Sequence, residues 1–527
     1  MDTKSSPTES IRIVEEKSSF EQDSQPIYNP QVDTSGVDEK KLLRKIDFAL
    51  IPWFSCLYLL SFLDRTSIGN AKVPGITRCW LTLLNKKKLY HLEADLKITD
   101  SQYLLALTVF FIAYATFEIP SNIVLKRFRP AIWFSTIMIG WGVFMTLQGA
   151  AHDFGSLTAI RWMLGTFEAG LYPGSCVAYH LSCWYKRSEL GIRTAVFTSA
   201  TTLSGAFGGL LAAAISKMGG VAGKPAWAWI FIIEGLVTIV AGILCLWFVQ
   251  DFPESAKFLT EEERTFVIRR LQGDGLFSAA GEHPKLKNIV ASFKDYKTWI
   301  NMLQCMGCDM PLYAFSLFTP SIVNQVCNGF KATRANLLTV PIYAFAAIVT
   351  CVVAVYADRR GRRGMWNIIM FSIGGVGYII LIASRSAALS YFAVYVASCG
   401  IFPVVPNTIT WIANNHEGSL KRGVALAAAI SIGNLNGAVS SNVYRARDQP
   451  WYRLGHGLVL LYICIGIFAN SLFLYSLKKE NMRRDRGERD EVIGPETLED
   501  NGNGRFASVE EAKREKGDGW SGYRYVL

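Results

Sequence analysis

The stretch LYLLSFLDRTSIGNAKV, residues 57–73, opens as unbroken hydrocarbon and then sets Asp64 beside Arg65. A charge at the centre of a bilayer costs roughly 2.5 to 3.5 kcal/mol on insertion scales, so buried ionisable groups survive there when they face a cavity and have partners. Composition makes the bilayer the right setting: the 527-residue chain is 50% hydrophobic and 13% aromatic, with positive mean hydropathy. That is too apolar for an ordinary soluble protein of this length. Apolar runs of about twenty residues, long enough to cross a bilayer as helices, recur along the chain. Twelve are predicted, near 47–64, 101–122, 131–151, 157–184, 193–217, 227–250, 298–323, 335–357, 365–384, 388–413, 423–444 and 457–477. The predicted fold class is an all-α membrane protein.

Residues 1–45 are polar and lack the apolar region and cleavage site of a secretory signal, so they read as a disordered cytosolic tail. Residues 478–527 are similarly charged and read as a cytosolic C-terminal tail. Lys and Arg gather before helix 1 (Lys40, Lys41, Arg44, Lys45), after helix 2 (Lys126, Arg127, Arg129), between helices 4 and 5 (Lys186, Arg187, Arg193) and between helices 8 and 9 (Arg359, Arg360, Arg362, Arg363). Basic loops stay on the cytoplasmic side, which puts both termini inside. The opposite loop GAAHDFGSL, 149–157, has no Lys or Arg. Topology therefore accounts for the net charge of +11, which is no argument for nucleic-acid binding. A charged connection, 251–297, divides the chain into six-helix halves, 46–250 and 298–477, and carries a helix start at Thr260 followed by Glu263. The loop VYADRRGRRG, 355–364, has a degenerate counterpart in VLKRFRPAIW, 124–133.

The segment ADRRGRRG resembles the loop motif of the major facilitator superfamily. LDRTSIGNAKV, FFIAYATFEIPSNIVLKRFRP, RWMLGTFEAGLYPG and DFPESAKFLTEEER, in that order, resemble the fungal allantoate permease group of its anion:cation symporters, with nicotinate permeases nearest. The resemblance covers about residues 45–480. It implies two six-helix bundles rocking about a central site, and proton-coupled uptake of a small organic anion through the plasma membrane. One segment departs from it: PGITRCWLTLLNKKKLYH, 74–91, stands where members of the group make a short connection. It is either an elaborated extracellular gate or a translated short intron, and its lysine triplet, disfavoured outside, points to the second.

Helix 4 carries the second set of charges. Arg161 and Glu168 are seven residues apart, two turns of a 3.6-residue helix, and share one face, while Gly165, Gly170 and Gly174 permit close helix approach. A purely structural Arg–Glu pair is the competing reading, as interfacial anchoring is for Asp64 and Arg65. By resemblance the substrate contacts fall to Arg65, with Arg161 as partner, and the proton sites to Asp64 and Glu168. Tyr343, Asn407, Asn434 and Asn436 are candidate pocket contacts or ordinary interhelical hydrogen bonders. Glu118 and Glu234 are assigned to gates, as are Asp358, Arg359 and Arg362 of the basic loop. His180 reads as a titrating group or, more simply, an interface histidine. Cys305 and Cys308, in CMGC, have no second pair to complete a zinc site and read as packing residues. No P-loop is present, so transport has to draw on an ion gradient, with the proton as coupling ion and no other cofactor.

The expected function is a monomeric secondary transporter in the lipid bilayer, taking a carboxylate such as allantoate or nicotinate and not nucleic acid. Export of a metabolite, or a nutrient receptor that has lost flux, are the alternatives, and an enzyme is not expected. Deletion of residues 74–91 is expected to preserve or raise surface expression and uptake. Loss of uptake by a deleted protein that still reaches the surface would establish the segment as part of the gate.

Overall fold

The fold comes from a computed structural model that describes residues 28–72, 92–125, 128–171, 177, 180–181, 183–215, 218–273, 292–326, 332–416, 419–445, 448, 451–494 and 502–527. The insert 74–91 and the first 27 residues lie outside them.

Each predicted apolar run meets a helix. They are α1 (Glu39–Lys72), α2 (Asp100–Leu125), α3 (Pro130–Gln148), α4 (Phe154–Glu168), α5 (Arg187–Ile215), α6 (Ala226–Phe248), α7 (Tyr296–Val326), α8 (Ala332–Arg360) and α9 (Arg363–Ala383). α10 follows in two segments, Ala387–Ile401 and Val404–Asn414, then α11 (Ser419–Ser440) and α12 (Arg453–Asp485). Among the described residues nine spans are long and apolar enough to cross a membrane. Of the other three helices, α4 has 15 residues, α7 carries Asp309 and two internal prolines, and the described apolar stretch within α5 covers Val196–Ala212.

Local chemistry sets several helix starts. Asp153 caps α4 by accepting from Ser156 N at 2.8 Å, and Ser156 Oγ accepts from Asp153 N at 3.2 Å. The cap expected at Thr260 forms in the same reciprocal way, with Thr260 N donating to Glu263 Oε2 at 3.0 Å and Glu263 N to Thr260 Oγ1 at 3.3 Å. The helix it starts, Glu261–Gly273, lies against the beginning of α1. Lys45 pairs with Glu263 at 2.6 Å, and Arg270 pairs with Glu39 and Glu189. These contacts define a terminal face, on which the start of α1, the start of α5 and the central connection lie.

The helices pack as two sets. α3 packs on α6, α1 on α5 and α2 on α4; then α7 on α11 and α12, and α9 on α10 and α12. The sets meet where α2 packs on α11 and α5 on α8, so the second helix of each half faces the fifth of the other. Glycines allow these approaches. A Cβ on Gly205 would lie 2.6 Å from the Tyr343 ring across α5 and α8, and one on Gly437 would lie 2.1 Å from the Phe111 ring across α11 and α2. Within the second set, a Cβ on Gly400 would lie 2.1 Å from Gly374 N.

Gly400→Val is therefore expected to drive α9 and α10 apart at a cost of about 1–3 kcal/mol, the usual range for overpacking. Gly423, whose Cβ would meet nothing within 4 Å, is the control. In detergent, Gly400→Val should unfold at a lower temperature than the parent, and Gly423→Ala, which gains helix propensity and meets no clash, at the same temperature or a slightly higher one.

Candidate functional site

Arg65 is the hub. It is buried in α1, and its guanidinium is ringed by Tyr114 at 4.7 Å, Tyr313 at 5.5 Å, Phe110 at 5.7 Å and Phe62 at 5.9 Å. Its Nη2 and Nε both donate to Glu168 Oε1, at 2.7 and 3.0 Å, and Ser61 Oγ donates to the same oxygen at 2.9 Å. Its third nitrogen crosses to the other bundle: Nη1 donates to Tyr313 OH at 2.9 Å. Tyr313 in turn donates to Asn434 Oδ1 at 2.5 Å, and Asn434 Nδ2 donates to Glu118 Oε2 at 3.1 Å. Ser431 Oγ donates to that Glu118 oxygen at 3.2 Å. One chain of hydrogen bonds thus runs from α4 through α1, α7 and α11 back to α2.

Asp64 points elsewhere, as successive residues on a helix must. Its Oδ2 accepts from Trp141 Nε1 of α3 and Thr238 Oγ1 of α6, each at 2.8 Å. One turn along α1, Ser67 Oγ donates to Glu234 Oε2, one turn along α6 from Thr238. The two helices are tied by two carboxyl–hydroxyl rungs with the acid on alternate sides. Asp64 Oδ1, Glu234 Oε1, Glu168 Oε2 and Glu118 Oε1 are buried with no hydrogen-bond partner among the described residues.

The expected pairing of Arg161 with Glu168 is not what forms. Glu168 is taken by Arg65, and Arg161, buried against the Phe110 ring at 5.6 Å, makes no ion pair with it among the described residues. Two residues on one helical face lie about 10 Å apart along the axis at a separation of seven, whereas Arg65 approaches Glu168 from a neighbouring helix. The glycines of α4 do what was expected where they are described. A Cβ on Gly165 would lie 2.4 Å from Phe110 O, and one on Gly170 2.4 Å from Ser121 Oγ. Gly174 is outside the described residues.

Of the other candidates, Asn434 joins the central chain and Glu118 is at its far end, inside α2 and not at a helix end. Tyr343 lies between α5 and α8 with its ring near those of Phe315 and Phe402. Asn407 is apart from the centre. It accepts from Arg363 Nη1 at 2.9 Å and donates to Asn367 Oδ1 at 2.7 Å and to Arg363 O at 3.0 Å. Asn436 bonds its own helix at Ile432 O. In the basic loop the partner of Asp358 is Arg363, while Arg359 and Arg362 are exposed. His180 is buried among the rings of Phe54, Phe134 and Phe252. Cys305 and Cys308 are buried, and Cys308 Sγ lies 3.5 Å from Thr408 Oγ1. Two central residues were missed in the sequence. Tyr313 gives no signal of its own, but Asp309, buried one turn before it, is an acid inside an apolar span, as Asp64 is.

The model of the Major Facilitator Superfamily matches residues 54–441. The chain is 33% identical over 457 residues to the MFS transporter prlL of a fungal species, covering 85% of this chain and 89% of that protein. It is 29% identical over 446 residues to the high-affinity nicotinic acid transporter of Saccharomyces cerevisiae, covering 85% and 79%. Among solved structures it is similar to a bacterial homologue of the human lysosomal transporter Spinster, captured inward-facing and occupied. The TM-score is 0.58 at 15% identity, over 84% of this chain and 98% of that one.

Removing Glu168 strands Arg65 as a buried cation, a defect that typically costs about 3–5 kcal/mol. Glu168→Ala should therefore lower the thermal midpoint of the purified protein sharply. Glu168→Gln keeps an oxygen acceptor for the guanidinium but not the charge, and should lower it by less than Glu168→Ala, as read by the same unfolding scan.

Proposed function

This chain belongs to the major facilitator superfamily, and we propose that it imports a small organic anion together with protons. It is a multi-pass membrane transporter, not an enzyme. The observation that carries the reading is the Arg65 fork held by a single oxygen of Glu168 between the two bundles. A substrate carboxylate has the geometry that Glu168 already presents to that fork, so the two compete for it. Protonating Glu168 removes the competitor's charge and leaves Arg65 in need of an anion, since an unpaired buried cation is costly. Binding of proton and of anion then favour one another.

The aromatic rings around Arg65 suit a flat or apolar body attached to the carboxylate, in keeping with nicotinate more than with the polar diureido body of allantoate. The nicotinic acid transporter among the relatives supports the same class. Asp64 takes up a second proton against Trp141 and Thr238. Near-neutrality of the loaded site matters because an uncompensated charge crossing the full field gains or loses about 2.3 kcal/mol per 100 mV. Glu118 acts as a gate: the α2–α11 contacts it makes with Ser431 and Asn434 have to break for the bundles to part. The basic loops support a cytosolic setting for the terminal face, and the plasma membrane is the membrane this reading expects.

Arg65→Lys keeps the charge and loses the planar fork, and should weaken carboxylate uptake at least about tenfold, a loss of 1.4 kcal/mol. Glu168→Gln should spare binding and exchange of labelled for unlabelled substrate while abolishing accumulation driven by an acid-outside pulse. The measurement is tracer uptake of a panel of small carboxylates in cells lacking their own permeases. If Glu168→Gln still concentrates substrate under the pulse, the coupling role of Glu168 is wrong.

A further inference from the structure

The last ten residues are built into the protein. Beyond the short parallel pair β1 (Val492–Ile493) and β2 (Arg505–Phe506), the chain forms the helix Val509–Lys516 and returns to the terminal face of the second bundle. Asp518 is 3% exposed there. It pairs with Lys297 at the start of α7 and, at 2.8 Å, with Lys421 near the start of α11. Arg484, near the end of α12, donates to Asp518 O at 2.9 Å and to Tyr523 O at 2.8 Å. The Asp518 carboxylate thus joins Asp295 in pairing with lysines of two helices, while the Asp518 backbone carbonyl takes a basic side chain of a third.

Two asparagines then read the backbone. Asn481 of α12 donates to Tyr525 O at 2.9 Å and accepts from Tyr525 N at 3.0 Å. Asn415, just after α10, donates to Val526 O at 3.1 Å and accepts from Val526 N at 2.9 Å. An amide that pairs both ways with a peptide unit recognises an extended strand whatever its side chains. Trp411 Nε1 adds a donor to Val526 O at 2.8 Å.

Trp411 also leads to the basic loop. Its ring packs so closely on Gly364 that a Cβ there would lie 2.6 Å away. Gly364 follows Arg363, the partner of Asp358. We propose that the groove between the terminal-face ends of α7, α10, α11 and α12 is a peptide-binding site for the chain's own residues 518–527. Its occupancy positions the Asp358–Arg363 loop through Trp411. The segment is a positioning device, and its consequence for transport rests on the gating role assigned to that loop.

Hydrogen exchange on the full-length protein tests the assignment without reference to transport. Backbone amides of residues 521–527 should be protected in the parent chain. In Asp518→Asn, and separately in Asn415→Ala, they should exchange at least about tenfold faster, the ratio that 1.4 kcal/mol gives, and amides of 357–364 should speed up with them. Tail amides in the parent that exchange like an unstructured peptide's would overturn the groove. A freed tail with unchanged exchange in 357–364 would overturn the path through Trp411. In uptake, Asp518→Asn combined with Asp358→Asn should be no slower than Asp358→Asn alone, and additive losses would also overturn that path. Normal uptake in Asp358→Asn alone removes the gate reading and leaves the groove to be decided by exchange.

Discussion

The ion pair between Arg65 and Glu168 constrains everything near it. Both groups are buried, and desolvating two charges costs several kcal/mol per ion unless geometry and further hydrogen bonds repay it. Repayment requires the carboxylate within 3.0 Å of two guanidinium nitrogens, Ser61 on the same oxygen and a ring of aromatic faces around the cation. None of that fits unless α2 and α4 touch backbone to backbone, which is why the position facing Phe110 O is Gly165. The remaining nitrogen is left to point at the second bundle. The interface between bundles is therefore organised around an arginine that the first bundle alone has already nearly satisfied.

Much of this was legible beforehand. Helical spans show because a twenty-residue apolar run has few other uses, and the cap at Thr260 and Glu263 shows because it is written in two residues at fixed spacing. That Asp64, Arg65 and Glu168 need buried partners was legible from the cost of placing charge in hydrocarbon. Their pairing was not. Spacing along one helix says which residues share a face but nothing of what a neighbouring helix brings to it, and so Arg161 was matched with Glu168 in place of Arg65. The same limit hid Tyr313, whose role exists only across the interface, and left Asn407 open between a pocket and interhelical hydrogen bonds, the second being what Arg363 and Asn367 make with it.

The docking of the C-terminal tail was illegible for a different reason. Its composition is charged, yet the Asp518 carboxylate is a counterion for the buried Lys297, and the closing aromatic residues, Tyr523 and Tyr525, pack beside the apolar ends of α7, α10 and α12. Low average hydropathy describes a segment that cannot fold alone. It says little about one whose partner surface is supplied by another part of the chain.

The polar contacts at the centre separate into two classes by what a rocking motion would do to them. Arg65 with Glu168, Ser61 with Glu168, Asp64 with Trp141 and Thr238, and Ser67 with Glu234 all lie within the first bundle and travel with it. Arg65 with Tyr313, Glu118 with Asn434 and Ser431, and Thr108 with Asn442 cross between bundles and have to be exchanged for others. The ion pair, the contact most costly to break, belongs to the first class. The second holds single bonds with at most one formal charge each, worth about 0.5–3 kcal/mol apiece. For the proposed transport cycle this arrangement would keep the charge pairing of Arg65 inside one rigid body and span the moving interface with bonds that water or a ligand can replace.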